Sequence, residues 1–525
     1  MDMSKEEQNA ILARLKKVAE GFQKLGIKTN QDQVPVVAVL GSGGSLRAMI
    51  GLLGVLAEMA DLCFLDTVTY LCGTSGSTWC MASLYNSANW STCMEKMEHT
   101  ICQRISNSKC DWKDSLEKLN RRVNKDTESL TSFWAYVVIR TMTKDNTENK
   151  LSDHRAACET GTNPYPIYSA VQKQNVDKKI QHDPGTWFEF TPHKAGFPAY
   201  NSFVDTQYLG CKFKEGKLCK ITPERDLCFM QGLWGSALAS KEAIWGILKD
   251  HIGDTFGKAA CNKGVNTSDE YKEHQSKCKK CKSLHTLLSE EQQSMDYNMK
   301  EQLLLILRKF LDDNKEKESS SDFSTEEKVG SDDCEVWKVI LNCLVSLAKW
   351  EWGTTYNFLY LQNESGKVPT ELSSQEYIHL IDAGLEINSA YPLMLAPYRK
   401  VDLILSFDFS EGDPFMTIKQ TAEYCEKNHI PFPKIHIQNG EDEQKSPSQN
   451  CYIFEGDQKD TPVVMHFPLF NNKSCGDKVE EWREKYSSMK MSFTNLEVND
   501  LLHVSRENVK LSKNQILEKL RNMSK

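Results

Sequence analysis

The sequence predicts an α/β domain whose mainly parallel central sheet is covered by helices on both faces. Three observations carry that expectation. Residues 34–40 form a short β-branched and apolar run that ends in Gly41-Ser42-Gly43-Gly44-Ser45. Helical spacing follows, with apolar positions at Leu46, Met49, Ile50, Leu53, Leu56 and Ala60. A second run, residues 68–72, ends in Gly73-Thr74-Ser75-Gly76-Ser77 and leads into a second helical stretch over residues 79–85. Later buried-strand candidates are residues 378–381, 401–407 and 463–466. Continuous apolar runs of this length, without alternation, fit strands buried on both faces.

Each remaining segment has its own reading. Over residues 5–25, Ile11, Leu15, Val18, Phe22 and Leu25 recur at helical spacing, which predicts an amphipathic helix packed on the main domain. Residues 312–333 are rich in Lys, Glu, Asp and Ser and read as a solvated or disordered loop. They fall between the glycine-rich turns and the late strands. The simplest account is one catalytic domain, residues 1–525, interrupted by an inserted cap over approximately residues 205–375. No internal repeat is present.

Composition narrows the function class. The chain has 525 residues, 40% hydrophobic and 26% charged, with a net charge of -8. That charge argues against a general nucleic-acid binder. Of the 18 cysteines, Cys63, Cys72 and Cys80 lie inside apolar runs and read as free thiols in a reducing compartment. The first residues are polar, and no stretch reaches about 18 uninterrupted apolar residues, so neither a signal peptide nor a membrane span is expected. The Asn89-Trp90-Ser91 sequon then carries no weight.

The chemistry gathers at the two turns. A serine on a sharp strand-to-helix turn has its hydroxyl pushed out above the sheet edge, and small neighbours let the turn close. Ser75 has that setting, although its motif carries Ser77 where glycine is usual. An acyl-transfer enzyme also needs backbone N–H donors aimed at the oxyanion. The small residues Gly43, Gly44 and Ser45 allow that approach, and Arg47 just inside the helix is placed to meet a phosphate. A nucleotide-binding reading of the first turn fails. Leu46 stands where the dinucleotide fingerprint wants glycine, no acid ends the second strand, and no Gly-Lys-Ser/Thr is present. A serine nucleophile needs a base. Asp382, after residues 378–381 and before Ala383-Gly384, and Asp408, after residues 403–407, both end predicted strands. Spacing alone does not choose between them. His379 points away from Asp382 in an alternating strand, and His193 and His466 remain as third members of a triad.

Together these residues resemble the group IV cytosolic phospholipase A2 family, and within it the gamma type. The carriers are Gly41-Ser42-Gly43-Gly44-Ser45-Leu46-Arg47-Ala48, Gly73-Thr74-Ser75-Gly76-Ser77 and Asp382-Ala383-Gly384. Matching blocks recur at Phe188-Glu189-Phe190-Thr191-Pro192-His193, Gly232-Leu233-Trp234-Gly235-Ser236-Ala237, Trp350-Glu351-Trp352-Gly353-Thr354-Thr355 and Ser406-Phe407-Asp408-Phe409-Ser410. The resemblance implies a patatin-like three-layer α/β/α fold with an inserted cap or lid. It implies a Ser75–Asp382 dyad without histidine, oxyanion donors at Gly43, Gly44 and Ser45, and phosphate binding by Arg47. Asp408 becomes structural. Ser45 departs from the family, which often has a third glycine there.

The implied activity is calcium-independent release of the sn-2 fatty acid from glycerophospholipids, with lysophospholipase and transacylase side activity, no cofactor and no metal. The implied partners are a phospholipid membrane surface and phospholipid or lysophospholipid substrates. The implied location is cytoplasmic, peripheral to intracellular membranes. The first core strand starts too early for the N-terminal calcium-dependent targeting domain of many members, and the ending Asn522-Met523-Ser524-Lys525 lacks a prenylation box. Two other features carry less. Lys272, Lys277, Lys279, Lys280 and Lys282 form a basic stretch suited to anionic lipid, although a solvated cap loop is the simpler reading. Cys278 and Cys281, with Cys261 and His285, do not make a regular zinc layout. Two rival classes stay open: a non-catalytic lipid-binding relative, and a Ser-His-Asp esterase of small soluble esters.

Overall fold

The computed structural model describes residues 3–29, 34–107, 115, 118–119, 130–145, 148–239, 351–362, 368–438, 440–456 and 460–524. The chain divides into two compact units. The first comprises Met1–Ser115, Trp134–Leu238 and Trp352–Lys525, and the second Leu116–Phe133 and Ala239–Glu351. The second unit's bounds differ from the cap expected over residues 205–375: it begins later, ends earlier, and takes in a stretch before residue 134. The loop expected at 312–333, the lysines at 272–282 and the Cys261, Cys278, Cys281 and His285 group lie outside the described residues. The first unit holds every candidate site residue.

That unit is built on strands β1 (Val37–Gly41), β2 (Tyr70–Gly73), β3 (Tyr165–Gln172), β4 (Trp187–Phe190), β5 (Lys194–Phe197) and β6 (Ser202–Asp205). A small separate hairpin, β7 (Lys212–Lys214) and β8 (Lys217–Lys220), follows. Then come β9 (Thr354–Tyr356), β10 (Tyr377–Asp382), β11 (Leu403–Asp408), β12 (Tyr452–Phe454) and β13 (Val463–Pro468). The main sheet runs β12-β13-β11-β1-β2-β3-β4-β5-β6, with β10 joined to β3 and β9 to β10. Strands β13, β11, β1, β2 and β3 pair in parallel, and β12, β4, β5, β6, β9 and β10 pair antiparallel. The parallel expectation therefore holds at the centre of the sheet and gives way at both flanks.

The central strands are buried along their whole length, which is why they read as unbroken apolar runs. The helix Ser45–Asp61 is buried on almost every side, against the strand–helix unit Tyr70–Leu84 and the C-terminal helix Asn495–Leu511. At roughly 25 cal/mol per Å2, each of its fully buried Leu, Ile and Met side chains contributes about 1.5–3 kcal/mol.

One pairing detail sets the position of the site. β3 is eight residues long, β2 four. β2 pairs with Tyr165 to Tyr168 and leaves the sheet at Gly73. β4 pairs with Tyr168 to Val171 on the opposite edge. The edge of β3 vacated by β2 is then taken by β10, with Asp382, Ile381 and Leu380 opposite Ala170, Val171 and Gln172. β10 thus runs down toward the point where β2 turned away, and its last residue is Asp382.

Buried charge ties the N-terminal helix to the sheet. The N-terminal helix Lys5–Lys24 packs through Ile11, Val18 and Phe22, as its periodicity predicts. Its Arg14 is buried and donates to the carbonyls of Val68 (2.7 Å), Leu65 (2.8 Å), Gly161 (3.2 Å) and Thr162 (2.5 Å). Its Glu7 meets Arg399 Nε at 3.0 Å, and Arg399 also bridges to both oxygens of Glu189 at 2.8 Å. All three side chains are buried. A guanidinium held by two carboxylates in low dielectric stabilises only while all partners remain. Arg399→Met leaves Glu7 and Glu189 buried without their counter-charge and is expected to lower stability by about 3–5 kcal/mol. Urea denaturation at pH 7.5 and at pH 4.5 checks this, with a smaller loss expected at the lower pH, because burial raises the Glu189 pKa and favours its neutral form.

Candidate active site

The site lies at the C-terminal edge of β1 and β2. Gly41 and Gly73 are paired across those strands, so both chains leave the sheet at one level. The Thr74 amide donates to the Gly41 carbonyl at 3.0 Å, and Ser169 Oγ donates to the Gly73 carbonyl at 2.9 Å. Ser75 follows with φ 50 and ψ -122 and caps the helix Gly76–Leu84. A non-glycine residue in this left-handed region costs on the order of 1–3 kcal/mol, and the surrounding bonds hold it there. Ser77, the departure from the usual motif, has a function in the turn: its hydroxyl donates to the Ser42 carbonyl at 2.6 Å.

The two turns touch. A Cβ on Gly76 would lie 1.9 Å from the Ser45 carbonyl oxygen, and one on Gly43 would lie 3.0 Å from Ser75 Cβ. Glycine at both positions lets the Ser75 turn and the Gly43–Ser45 turn meet backbone to backbone. Gly44 has φ 151 and Ser45 φ 58, so Ser45 also occupies a conformation glycine takes more readily.

Asp382 ends β10 and is fully buried, while Ser75 is 5% exposed. The carboxylate accepts from the Gly384 amide at 2.8 Å and the Ala237 amide at 3.2 Å. Its own amide donates to Ser236 Oγ at 3.0 Å. Burial pushes its pKa from 3.8 up to about 6, opposed by hydrogen bonds from Gly384, the Ser75 side chain and Ala237, in that order. These donors are uncharged, so desolvation sets the sign. Ser236 and Ala237 directly follow the helix Leu227–Trp234, whose Gln231 carbonyl accepts from Trp79 Nε1 at 2.9 Å on the helix behind Ser75.

The oxyanion expectation needs one correction. The Gly43 amide is engaged, donating to the Asn388 carbonyl at 2.9 Å. It is not free to receive an oxyanion, and Gly43 contributes space instead. The candidate donors narrow to the Gly44 and Ser45 amides at the start of the helix Ser45–Asp61, where helix geometry leaves N–H groups without intrahelical partners.

Arg47, the expected phosphate ligand, is 1% exposed and engaged within the fold. Nε donates to the Phe409 carbonyl at 2.7 Å, Nη2 to Ser488 Oγ at 3.0 Å, and Nη1 to the Tyr486 carbonyl. Glu411 lies 3.8 Å away, and desolvation lowers the guanidinium pKa to about 10. Its charge still borders the turn, since a Cβ on Gly44 would lie 3.0 Å from Nη2.

The rival residues sit elsewhere. Asp408 accepts from the Ser410 amide at 2.9 Å and neighbours His466. His466 Nε2 bonds the Pro414 carbonyl at 2.7 Å. His193 stacks on Tyr165 and meets its hydroxyl at 2.9 Å, and Tyr165 pairs with Tyr70 at the far end of β2. His379 bonds Thr354 Oγ1 at 3.2 Å, and no histidine bonds Asp382 among the described contacts. Sequence reasoning missed Asn388, Ser236 and Ser410. Asn388 carried no motif of its own, while Ser236 and Ser410 lay unassigned inside quoted blocks.

Fold and site define a class: a patatin-like α/β/α ester hydrolase with serine on a strand-to-helix turn. A model of the lysophospholipase catalytic domain matches residues 37–324, a span that includes Ser75 and stops before Asp382. The chain belongs to the cytosolic phospholipase A2 family, whose enzymes are phospholipases and lysophospholipases. It is 39% identical to cytosolic phospholipase A2 gamma of Mus musculus, covering 99% of this chain and 91% of that protein. It is also 39% identical to the Homo sapiens gamma protein, covering 99% and 95%. The solved human GIVD cytosolic phospholipase A2 superposes with a TM-score of 0.70 at 24% identity, covering all of this chain and 67% of that one. No helix among the described residues is long and apolar enough to cross a membrane.

The Asp382 environment has a stability consequence. The folded pKa, about 6, lies above the unfolded 3.8, so folding binds the proton more tightly. Stability contributed by this group is full below about pH 4 and is lost as pH rises through about 6. Asp382→Asn removes the buried charge and is expected to stabilise the fold at pH 7.5 by about 1–3 kcal/mol, less than the full linkage because its Nδ2 faces a donor. Thermal melts at pH 7.5 and pH 4 should show the gap closing at the lower pH.

Proposed function

We propose that this enzyme hydrolyses the sn-2 fatty-acyl ester of glycerophospholipids through a Ser75–Asp382 dyad, with lysophospholipase and transacylase side activity. The single observation that carries the reading is the placement of Asp382: fully buried at the end of β10, held by the Gly384 and Ala237 amides, and near enough to the side chain of Ser75, on its strained turn, for the two to interact, with burial raising the carboxyl pKa to about 6. An ordinary aspartate is a poor base for serine, and burial improves it by about two pKa units.

Asp382 accepts the Ser75 hydroxyl proton as Oγ attacks the acyl carbonyl carbon. The carbonyl oxygen becomes an oxyanion held by the Gly44 and Ser45 amides. The tetrahedral centre collapses, the ester C–O bond breaks, and Asp382 gives its proton to the departing lysophospholipid oxygen. Water then attacks the acyl-enzyme, passing its proton to Asp382, and collapse releases the fatty acid as Ser75 recovers that proton. A lysophospholipid hydroxyl in place of water gives transacylation. Each carboxylate oxygen accepts a backbone N–H, which orients the carboxylate and keeps its ionised form accessible at neutral pH.

The phosphate reading of Arg47 becomes an exchange. A phosphate oxygen is a stronger acceptor for Nη2 than the neutral Ser488 hydroxyl, so substrate takes that bond over. The residues after Ser488 support a lipid surface as the partner: Met489 and Met491 are 56% and 37% exposed. Peripheral attachment to cytoplasmic faces of intracellular membranes belongs to the same proposal. The positions of His193 and His466 weigh against a Ser-His-Asp esterase, and the intact Ser75–Asp382 pair weighs against a non-catalytic relative.

Fatty-acid release from phosphatidylcholine vesicles in excess chelator tests the reading. Wild type should be active, and Ser75→Ala and Asp382→Asn should each lose at least about 1,000-fold while staying folded. The base must be ionised, so kcat should rise with pH through about 6 and then level off. Release surviving Ser75→Ala removes the assigned nucleophile, and a wild type inactive on vesicles favours the lipid-binding alternative.

A further inference from the structure

We propose that Asn388 is a positioning residue that aims the Gly44 amide at the oxyanion; this rests on the dyad reading above. Asn388 grips the Gly43 residue twice. Its carbonyl accepts the Gly43 amide at 2.9 Å, and its Nδ2 donates to the Gly43 carbonyl at 3.2 Å. The same Nδ2 donates to Ser410 Oγ at 2.8 Å, which fixes the side-chain rotamer. The amide assignment follows from the partner, because the Gly43 carbonyl can only accept.

The consequence comes from peptide geometry. The Gly43 carbonyl and the Gly44 N–H belong to one planar trans peptide and point in opposite directions. Whatever holds the Gly43 oxygen therefore sets where the Gly44 N–H points. Gly44 has φ 151 and no side chain, so its own torsions offer little resistance to rotation of that peptide. Ser42 Oγ is a second donor to the same oxygen at 3.2 Å, and two donors polarise the peptide so that its N–H binds an anion more strongly.

Position supports the assignment. A Cβ on Gly384 would lie 3.0 Å from Asn388 Oδ1 and 3.1 Å from Asp382 Oδ1. Asn388 therefore joins the loop that carries the base to the turn that carries the oxyanion donors, beside Ser75. It touches no bond that breaks, and its effect reaches the reaction through Gly44.

The test compares wild type, Asn388→Ala and Ser410→Ala on phosphatidylcholine vesicles, with a long-chain alkyl fluorophosphonate as a probe of Ser75. Phosphonylation places a phosphonyl oxygen where the oxyanion forms. Asn388→Ala should lower kcat by about 10- to 100-fold, short of the loss of an oxyanion donor outright. KM should stay within about twofold, and the acid limb of the kcat–pH profile should keep the wild-type midpoint, since Asp382 is undisturbed. The phosphonylation rate should fall by the same factor while the final label per chain is unchanged. Ser410→Ala should do the same more weakly, and the two effects should be less than additive.

A loss explained by fewer labelled chains, by KM, or by a shifted acid limb overturns the proposal, as does kcat within twofold of wild type. Should Asn388→Ala not fold, Ser410→Ala decides alone: an unchanged kcat overturns the proposal, and a several-fold fall at full labelling supports it. A wild type that takes no label at Ser75 defeats the underlying dyad reading, and the inference falls with it.

Discussion

The handover of one strand edge organises the site. β3 continues for four residues beyond its last partner in β2, and backbone N–H and C=O groups buried there need new partners. β4 already holds the opposite edge, so β10 must come in antiparallel along the side that β2 has left. A serine after the end of β2 and an aspartate at the end of β10 then meet head on. Nothing in the local sequence around either residue requires that meeting. The ladder of β3 requires it, and the Ser75 turn, the burial of Asp382 and the Asn388 loop follow from it.

The same arrangement gives Asp382 a raised pKa with backbone amides, and no cation or imidazole among the described contacts, as its partners. At the end of β10 the Asp382 side chain is fully buried, so its charged form loses the solvation it has in water. Asp382 is compensated by two backbone amides and the serine, enough to keep the charged form accessible and too little to cancel desolvation. A nearby arginine would have driven the pKa down toward that of an ordinary aspartate or below. The cationic group close to the turn, Arg47, is held instead by carbonyls and a hydroxyl on the Gly44 side.

The central strands and both turns were legible because burial on two faces leaves a continuous apolar signature. Each turn also announces itself by a cluster of small residues at the strand end. The flanks were not legible for the same reason. β3 contains Pro166 and Ser169 and lacks an unbroken run, and β4, β5 and β6 are short antiparallel strands whose pairing depends on partners far along the chain. Asp382 and Asp408 look alike in sequence because each ends a buried strand. Only the order of strands separates them, since β11 lies beside β1 on the side away from β3. Asn388 was invisible because its importance lies in which carbonyl it reaches. The Gly43 donor expectation went wrong at the same point: small residues show that a backbone can approach, but not which of its amides are already engaged.

The costs at the site are set against supports elsewhere in the same unit. At the C-terminal edge of β1 and β2, two serines stand in left-handed backbone, a carboxylate is desolvated, and a guanidinium is buried beside the turn. Arg14 ties the carbonyls that precede β2 and β3, and Glu7 and Glu189 enclose Arg399. Each strained feature at the site costs on the order of 1–3 kcal/mol, against a net stability of only about 5–15 kcal/mol for a typical domain. A site of this kind is tolerable only where the rest of the domain is over-determined. The Ser45 position shows how close the balance runs. Glycine would relax its backbone, yet it would also widen the conformations open to the unfolded chain and to the turn itself. A serine held at φ 58 by Gly76 packed against its backbone gives a stiffer turn than glycine would.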